Sequence, residues 1–173
     1  GSGDSVSLNQ TFESETGVSF KYPDGWAAQD DEGQIILSNS PEGLEAMTAL
    51  ESGEGPGEGQ VGMMVMALPL ADLGMPEDTT VDTIFDMMTG SMTSEGMETV
   101  GDTEELKIGD NDARKVNVKD AESGSDGFII AFLDENDTYM MLIGVTASGE
   151  RDNYDDVALD IAETIEYTAP AAE

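Results

Sequence analysis

The side chains that carry chemistry in this chain are carboxylates. Thirty-eight Asp and Glu stand against six Lys and Arg, with no His and no Cys, giving a formal net charge of −32 over 173 residues. Without an imidazole, no side chain has an ordinary pKa near neutrality for acid–base work. Without cysteine there is no thiolate nucleophile, no disulfide and no Cys/His metal site. Carboxylates leave two chemistries open. One is binding of a hard cation such as Ca²⁺, which needs about six to eight oxygens converging at about 2.3–2.6 Å. The other is hydrolysis by a carboxylate pair, as in glycosidases.

Four acidic clusters could supply a cation site: Asp30-Asp31-Glu32, Asp110/Asp112, Asp134/Glu135/Asp137 and Asp152/Asp155/Asp156. The metal candidates taken from them are Asp134, Asp137, Asp152, Asp155 and Asp156. None follows the EF-hand loop. Counting from Asp134, the sixth position is Tyr139 where glycine is required, and the twelfth is Val145 where glutamate is required. Carboxylate pairs are uninformative in so acidic a chain. No Gly-x-Ser-x-Gly elbow is present, and Gly53–Gly59 lacks the Lys-Ser/Thr ending of a phosphate loop. The expectation is a non-enzyme without a cofactor, Ca²⁺ being the one candidate ligand.

Charge also bears on partners. Phosphates would be repelled, which argues against nucleic acid and points to another protein. Lys107, Arg114, Lys115 and Lys119 fall within thirteen residues. On a strand, Lys115, Asn117 and Lys119 share one face, opposite Val116 and Val118. That strip is the candidate partner-binding surface for an acidic protein or a second copy. The alternative is cross-strand pairing with residues such as Glu105. Met63, Met64, Met66, Met87, Met88, Met92, Met140 and Met141 could suggest a thioether site for Cu(I). Their spacing follows strand and helix faces, so they read as core, with Met87 off the main stripe.

The elements that position these groups follow from periodicity. Gln10–Glu13 reads as a strand, as does Gly17–Tyr22, where Val18, Phe20 and Tyr22 alternate with Ser19 and Lys21. Pro23-Asp24-Gly25 makes a turn before Trp26. Gln34–Ser38 returns as a hairpin across Asp30-Asp31-Glu32-Gly33. Residues 39–50 fit a short helix or an edge strand. Glu51–Gln60 is an acidic, Gly-rich loop. Val61–Leu68 is apolar on both faces and reads as a central strand. Thr79/Thr80 cap a helix to about Thr93, with Val81, Ile84, Phe85, Met88 and Met92 as its buried stripe. A hairpin follows over 104–118, turning at Gly109–Asp112. Gly127–Leu133 and Thr138–Val145 are two more central strands joined by the Asp134–Asp137 turn. The final helix runs from about Asp152 to Ile165. Together these predict one mostly antiparallel sheet with flanking helices.

The motif Gly17-Val-Ser-Phe-Lys-Tyr-Pro-Asp-Gly-Trp26, followed by a helix, an Ile108-Gly109…Ala113 hairpin, a strand pair and a helix ending near Ile165-Glu166-Tyr167, resembles the PsbP-like fold. That fold is shared by photosystem II extrinsic PsbP proteins, the Ran-binding Mog family and bacterial exported proteins of the DUF1795 type. The resemblance spans about residues 10–168. It implies an α+β fold, an α/β/α sandwich around a central, mostly antiparallel sheet. It also implies a non-catalytic binding or assembly role outside the cytoplasm. Residues 1–9 read as a flexible lead-in opening on a vector-derived Gly1-Ser2-Gly3, with 10–168 as one domain and 169–173 as a tail. No run reaches the roughly 18–20 apolar residues of a membrane span. A removed export signal or lipid anchor would place the protein as secreted or surface-tethered.

Overall fold

Alternating side chains build a first, small sheet. Gln10–Glu13 (β1) and Val18–Tyr22 (β2) pair antiparallel, with Phe12 opposite Phe20. Val18 and Phe20 are buried while Lys21 stays in solvent, as the two-residue period requires. Pro23-Asp24-Gly25 then turns the chain, Gly25 taking a φ of 89° that a side chain would resist. The computed structural model describes residues 8–31, 34–48, 57–121, 124–135 and 137–168.

The next elements are the hairpin Ala27–Asp31 (β3) and Gln34–Ser38 (β4), then helix Pro41–Thr48 (α1). Proline suits the first turn of α1, where its missing N–H is not needed, and Ser40 Oγ accepts the Gly43 N–H at 3.0 Å. Val61–Pro69 (β5) leads to helix Val81–Ser94 (α2). Thr80 caps α2, its hydroxyl oxygen accepting the Thr83 N–H at 3.4 Å. Thr80→Ala is expected to cost about 1 kcal/mol, seen as a lower urea midpoint at unchanged slope. Met97–Ile108 (β6), Asn111–Asp120 (β7), Asp126–Leu133 (β8) and Thr138–Thr146 (β9) follow as a meander. A 3₁₀ turn at Arg151–Asn153, helix Asp155–Thr164 (α3) and Glu166–Tyr167 (β10) complete the described chain.

Seven strands form the main sheet in the order β3-β4-β5-β9-β8-β7-β6, every neighbouring pair antiparallel. Its two faces carry separate cores. On one, Val61, Met63, Val65, Phe128 and Leu142 pack with Ala158 and Ile161 of α3 and with Val18 and Phe20 of the small sheet. On the other, Val116, Val118, Ile129 and Met141 pack against Val81, Ile84 and Phe85 of α2. Met47 of α1 lies against Gly62 on that second side, filling the space a side chain there would occupy. The result is the expected sandwich, with β5, β8 and β9 central. Tyr22 and Trp26 of the opening motif are half-buried and pack on the α3-side core. Met63, Met140 and Met141 are buried, whereas Met87 is 56 % exposed.

Five expectations need correction. The strands do not make one sheet: β2 pairs with β1 and β10, and these three stand apart. Although only the Pro23–Gly25 turn and Trp26 separate β2 from β3, the two strands do not pair. The place of β2 is fixed instead by α3, where Thr164 Oγ1 accepts the Lys21 N–H at 2.9 Å. The 104–118 hairpin is longer than its apolar alternation: β6 starts at Met97, because main-chain pairing with β7 carries it where burial does not. Its turn is the two residues Gly109-Asp110, and Asn111 and Asp112 already belong to β7. Asp30 and Asp31 lie in β3 rather than in the turn. α3 starts at Asp155, after the 3₁₀ turn, rather than at Asp152. Residues 1–7, 51–56 and 169–173, within the predicted lead-in, acidic loop and tail, lie outside the described residues. No helix among the described residues is long and apolar enough to cross a membrane.

Candidate functional site

The β6–β7 hairpin gathers four of the six basic residues and sets each opposite an acid. Register pairs Glu98 with Lys119, Glu104 with Lys115, Glu105 with Arg114, and Lys107 with Asp112. Three of these close into ion pairs. Lys107 Nζ lies 2.9 Å from Asp112 Oδ1, Arg114 Nη2 3.5 Å from Glu105, and Lys115 Nζ 3.5 Å from Glu104. The Lys107 ammonium holds the Asp112 carboxyl below its ordinary range, first through its hydrogen bond.

Arg114 and Lys115 are consecutive, so a strand must send them to opposite faces. Each meets the first turn of the helix on its side. Arg114 donates from Nε and Nη2 to the two oxygens of Asp82 in α2, at 2.5 and 3.0 Å. That bidentate contact pulls the Asp82 carboxyl down and raises the guanidinium. Lys115 Nζ donates to Asp155 Oδ2 at 3.4 Å, the first residue of α3, and to Asn117 Oδ1 at 3.2 Å. Burial pushes the Asp155 carboxyl up, and Lys115 offsets only part of this. Asp155 Oδ1 is buried without a hydrogen-bond partner. One strand therefore clamps both helical layers through adjacent cations. An acid in each helix's first turn also complements the helix dipole. Sequence reasoning did not find these two contacts. The available signal was the alternation of Arg114 and Lys115, together with an acid at the start of each flanking helix.

The strip Lys115–Asn117–Lys119 keeps one face but not one environment. The Lys115 side chain is 7 % exposed and internally paired, Asn117 is half-buried and Lys119 is exposed. The metal candidates are dispersed. Asp134 and Asp137 sit at the β8–β9 turn, where Asp134 Oδ1 accepts the Thr138 N–H at 2.8 Å and Asp137 adopts a φ of 59°. Asp152 is exposed in the 3₁₀ turn and Asp156 at the start of α3, and Asp155 is engaged by Lys115. Among the described residues no group of three or more Asp and Glu is placed to hold a metal ion. The melting temperature should accordingly rise with ionic strength alike in NaCl and in CaCl₂, as screening relieves self-repulsion. A saturable, Ca²⁺-specific rise would contradict this.

Two clefts of about 430 Å³ each flank the Gly109-Asp110 turn. One lies between Thr80, Asp82, Asp112 and Arg114 at the start of α2. The other lies between Asp134, Glu135, Glu163 and Tyr167. Asp82 and Asp112 in the first are held ionised, which suits them to hold charge rather than to deliver a proton. Asp155, the carboxyl pushed upward, lines neither cleft.

The outer strand of the hairpin is the larger feature. Residues 98–105 of β6 are exposed throughout, so this stretch adds little to either core. Fixing each such residue costs about 1–2 kcal/mol of backbone entropy, and an exposed ion pair returns about 0–1 kcal/mol. Main-chain pairing to β7, rather than burial, keeps this strand extended.

No family model matches the chain, and no curated protein matches it. Solved structures do. The solution structure of cyanobacterial PsbP (CyanoP) from Synechocystis sp. PCC 6803 superposes with a TM-score of 0.54 at 15 % identity, covering 96 % of each chain. A crystal structure from Bacteroides thetaiotaomicron VPI-5482 superposes with a TM-score of 0.53 at 14 % identity, covering 94 % of this chain and 49 % of that one. This chain thus spans about half the length of the second protein. Helices on both faces of an antiparallel sheet, with a superposition that covers nearly the whole of CyanoP, make this a PsbP-like fold.

Proposed function

We propose that the chain is a non-catalytic binding or assembly module, a single domain over residues 10–168, that works outside the cytoplasm on another protein. The observation that carries this reading is the β6 strand, solvent-exposed on both faces from residue 98 to 105. A strand that contributes so little burial has its value in what it presents. The fold's likeness to a PsbP protein supports a binding role by analogy only. The charge state of the cleft at the start of α2 fits a non-catalytic role, since its Asp82 and Asp112 are locked in ion pairs. The partner's complementary surface is basic. Lys107, Arg114, Lys115 and Arg151 are taken up by acids of this chain, which leaves its surface dominated by carboxylates.

A photo-crosslinking residue at Thr103 in β6, compared with one at Glu42 in α1, tests this in the source cell. The expected result is a discrete adduct with one protein from Thr103 alone, in an extracytoplasmic fraction. No adduct, or the same adducts from both positions, sinks the binding surface. Recovery in the cytoplasmic fraction sinks the location.

A further inference from the structure

Resting on the reading of β6 as the presented surface, we infer that an extended, lysine- or arginine-bearing segment of the partner protein adds to the seven-stranded sheet as an eighth strand along β6. Among the described residues β6 is one of the two edges of that sheet, and its outer row of main-chain donors and acceptors has no strand beside it. The other edge offers less. β3 is a single five-residue stretch whose Asp30 is engaged by Ser14 from the β1–β2 turn, whereas β6 offers two regular stretches, Met97–Val100 and Glu104–Ile108.

Charge selects the occupant. Glu98, Asp102, Glu104 and Glu105 stand along β6 with Lys107 as its one cation. Two copies of this chain would bring the same acids together across the new ladder, on bodies each carrying a net charge of −32. A cationic segment would instead place its ammonium or guanidinium groups beside Glu98 and beside Glu104, which stays 65 % exposed although its carboxylate also meets Lys115. Glu98 and Glu104 share a face, since their register partners Lys119 and Lys115 do. Val100 lies on that face between the two glutamates and is 38 % exposed, an apolar step for an incoming side chain. The irregularity between Val100 and Glu104 interrupts the register. It confines a regular added ladder to Met97–Val100 or Glu104–Ile108 and blunts uncontrolled growth.

The test uses the full chain and three synthetic peptides. The first alternates Lys and Thr. The second has the same lysines with two adjacent interior prolines, which removes a main-chain donor from each edge. The third has Glu in place of Lys. The first should bind and slow hydrogen exchange of β6 amides by about tenfold or more without affecting β3. The second should bind at least about tenfold more weakly, and the third not at all. The double variant Glu98→Gln, Asp102→Asn, at exposed positions and free of a lysine opposite Lys119, should keep its melting temperature and lose most of its binding of the first peptide. If the proline peptide binds as well as the first, and both are lost at about 0.5 M NaCl, the contact is diffuse charge adhesion and strand addition is overturned. Protection at β3 overturns it too. A Thr103 adduct in cells without peptide protection of β6 overturns strand addition and leaves the binding-module reading standing. No adduct removes both.

Discussion

Lys115→Met should lower the unfolding free energy by about 3 kcal/mol near neutral pH, because removing one partner of a buried ion pair strands the other. The ammonium is buried and reaches Asp155, Glu104 and Asn117. In its absence the half-buried Asp155 carboxylate loses its close cation and keeps only the weaker attraction of Arg151. The sign with pH separates this account from simple loss of packing. Burial has already raised the folded pKa of Asp155 above its ordinary value, and deleting Lys115 raises it further. A raised carboxyl favours folding below its unfolded pKa, and that contribution is lost as pH rises through the folded pKa. The deficit of Lys115→Met should therefore shrink toward the acid side of the ordinary carboxylate range and grow above it. Replacing both groups, Lys115→Met with Asp155→Leu, should recover most of the loss. Urea unfolding across pH measures all three. A deficit independent of pH, or a double variant as weak as the single, would defeat the stranded-charge explanation.

Gly144→Val is the second change with a large expected effect. Gly144 sits in β9 directly opposite Phe128 in β8, and a Cβ built there would overlap the Phe128 ring. Both residues are buried among the side chains that meet α3. The glycine is thus the space into which the aromatic ring packs, at the centre of the sheet. Overpacking a filled core costs about 1–3 kcal/mol, and the upper end applies because the ring has no exposed side toward which to move. Phe128→Leu in the Gly144→Val background should restore part of the loss, whereas Phe128→Leu alone should destabilise by leaving a void. If the two changes were simply additive, the ring would not be what occupies the glycine's space. The test is a double-mutant cycle of urea midpoints.

The elements themselves were legible wherever burial imposes a period. Val18 and Phe20, then Val61, Met63 and Val65, then Val81, Ile84 and Phe85 mark their inner faces in the chain, and each is buried where its spacing places it. β6 was illegible at its start because Met97–Thr103 carries no apolar alternation. Its extended form comes from pairing with β7, a contact between segments rather than a property of either. The separation of β1, β2 and β10 from the main sheet was illegible for a related reason. β10 is two residues long and is held against β2 across the whole domain, without a local pattern to announce it.

The candidate site divides along the same line. Residue types alone established what the chain lacks, an imidazole and a thiol, and the sign of its surface. They also established that Arg114 and Lys115 must leave one strand in opposite directions. Tertiary structure decided what each cation meets. Arg114 finds Asp82 across 32 positions and Lys115 finds Asp155 across 40, so a strip that read as an open basic surface is partly a clamp between layers. Periodicity reports which way a side chain points because the backbone fixes that locally. It does not report the neighbour, which depends on how α2 and α3 come to rest on the two faces of the sheet.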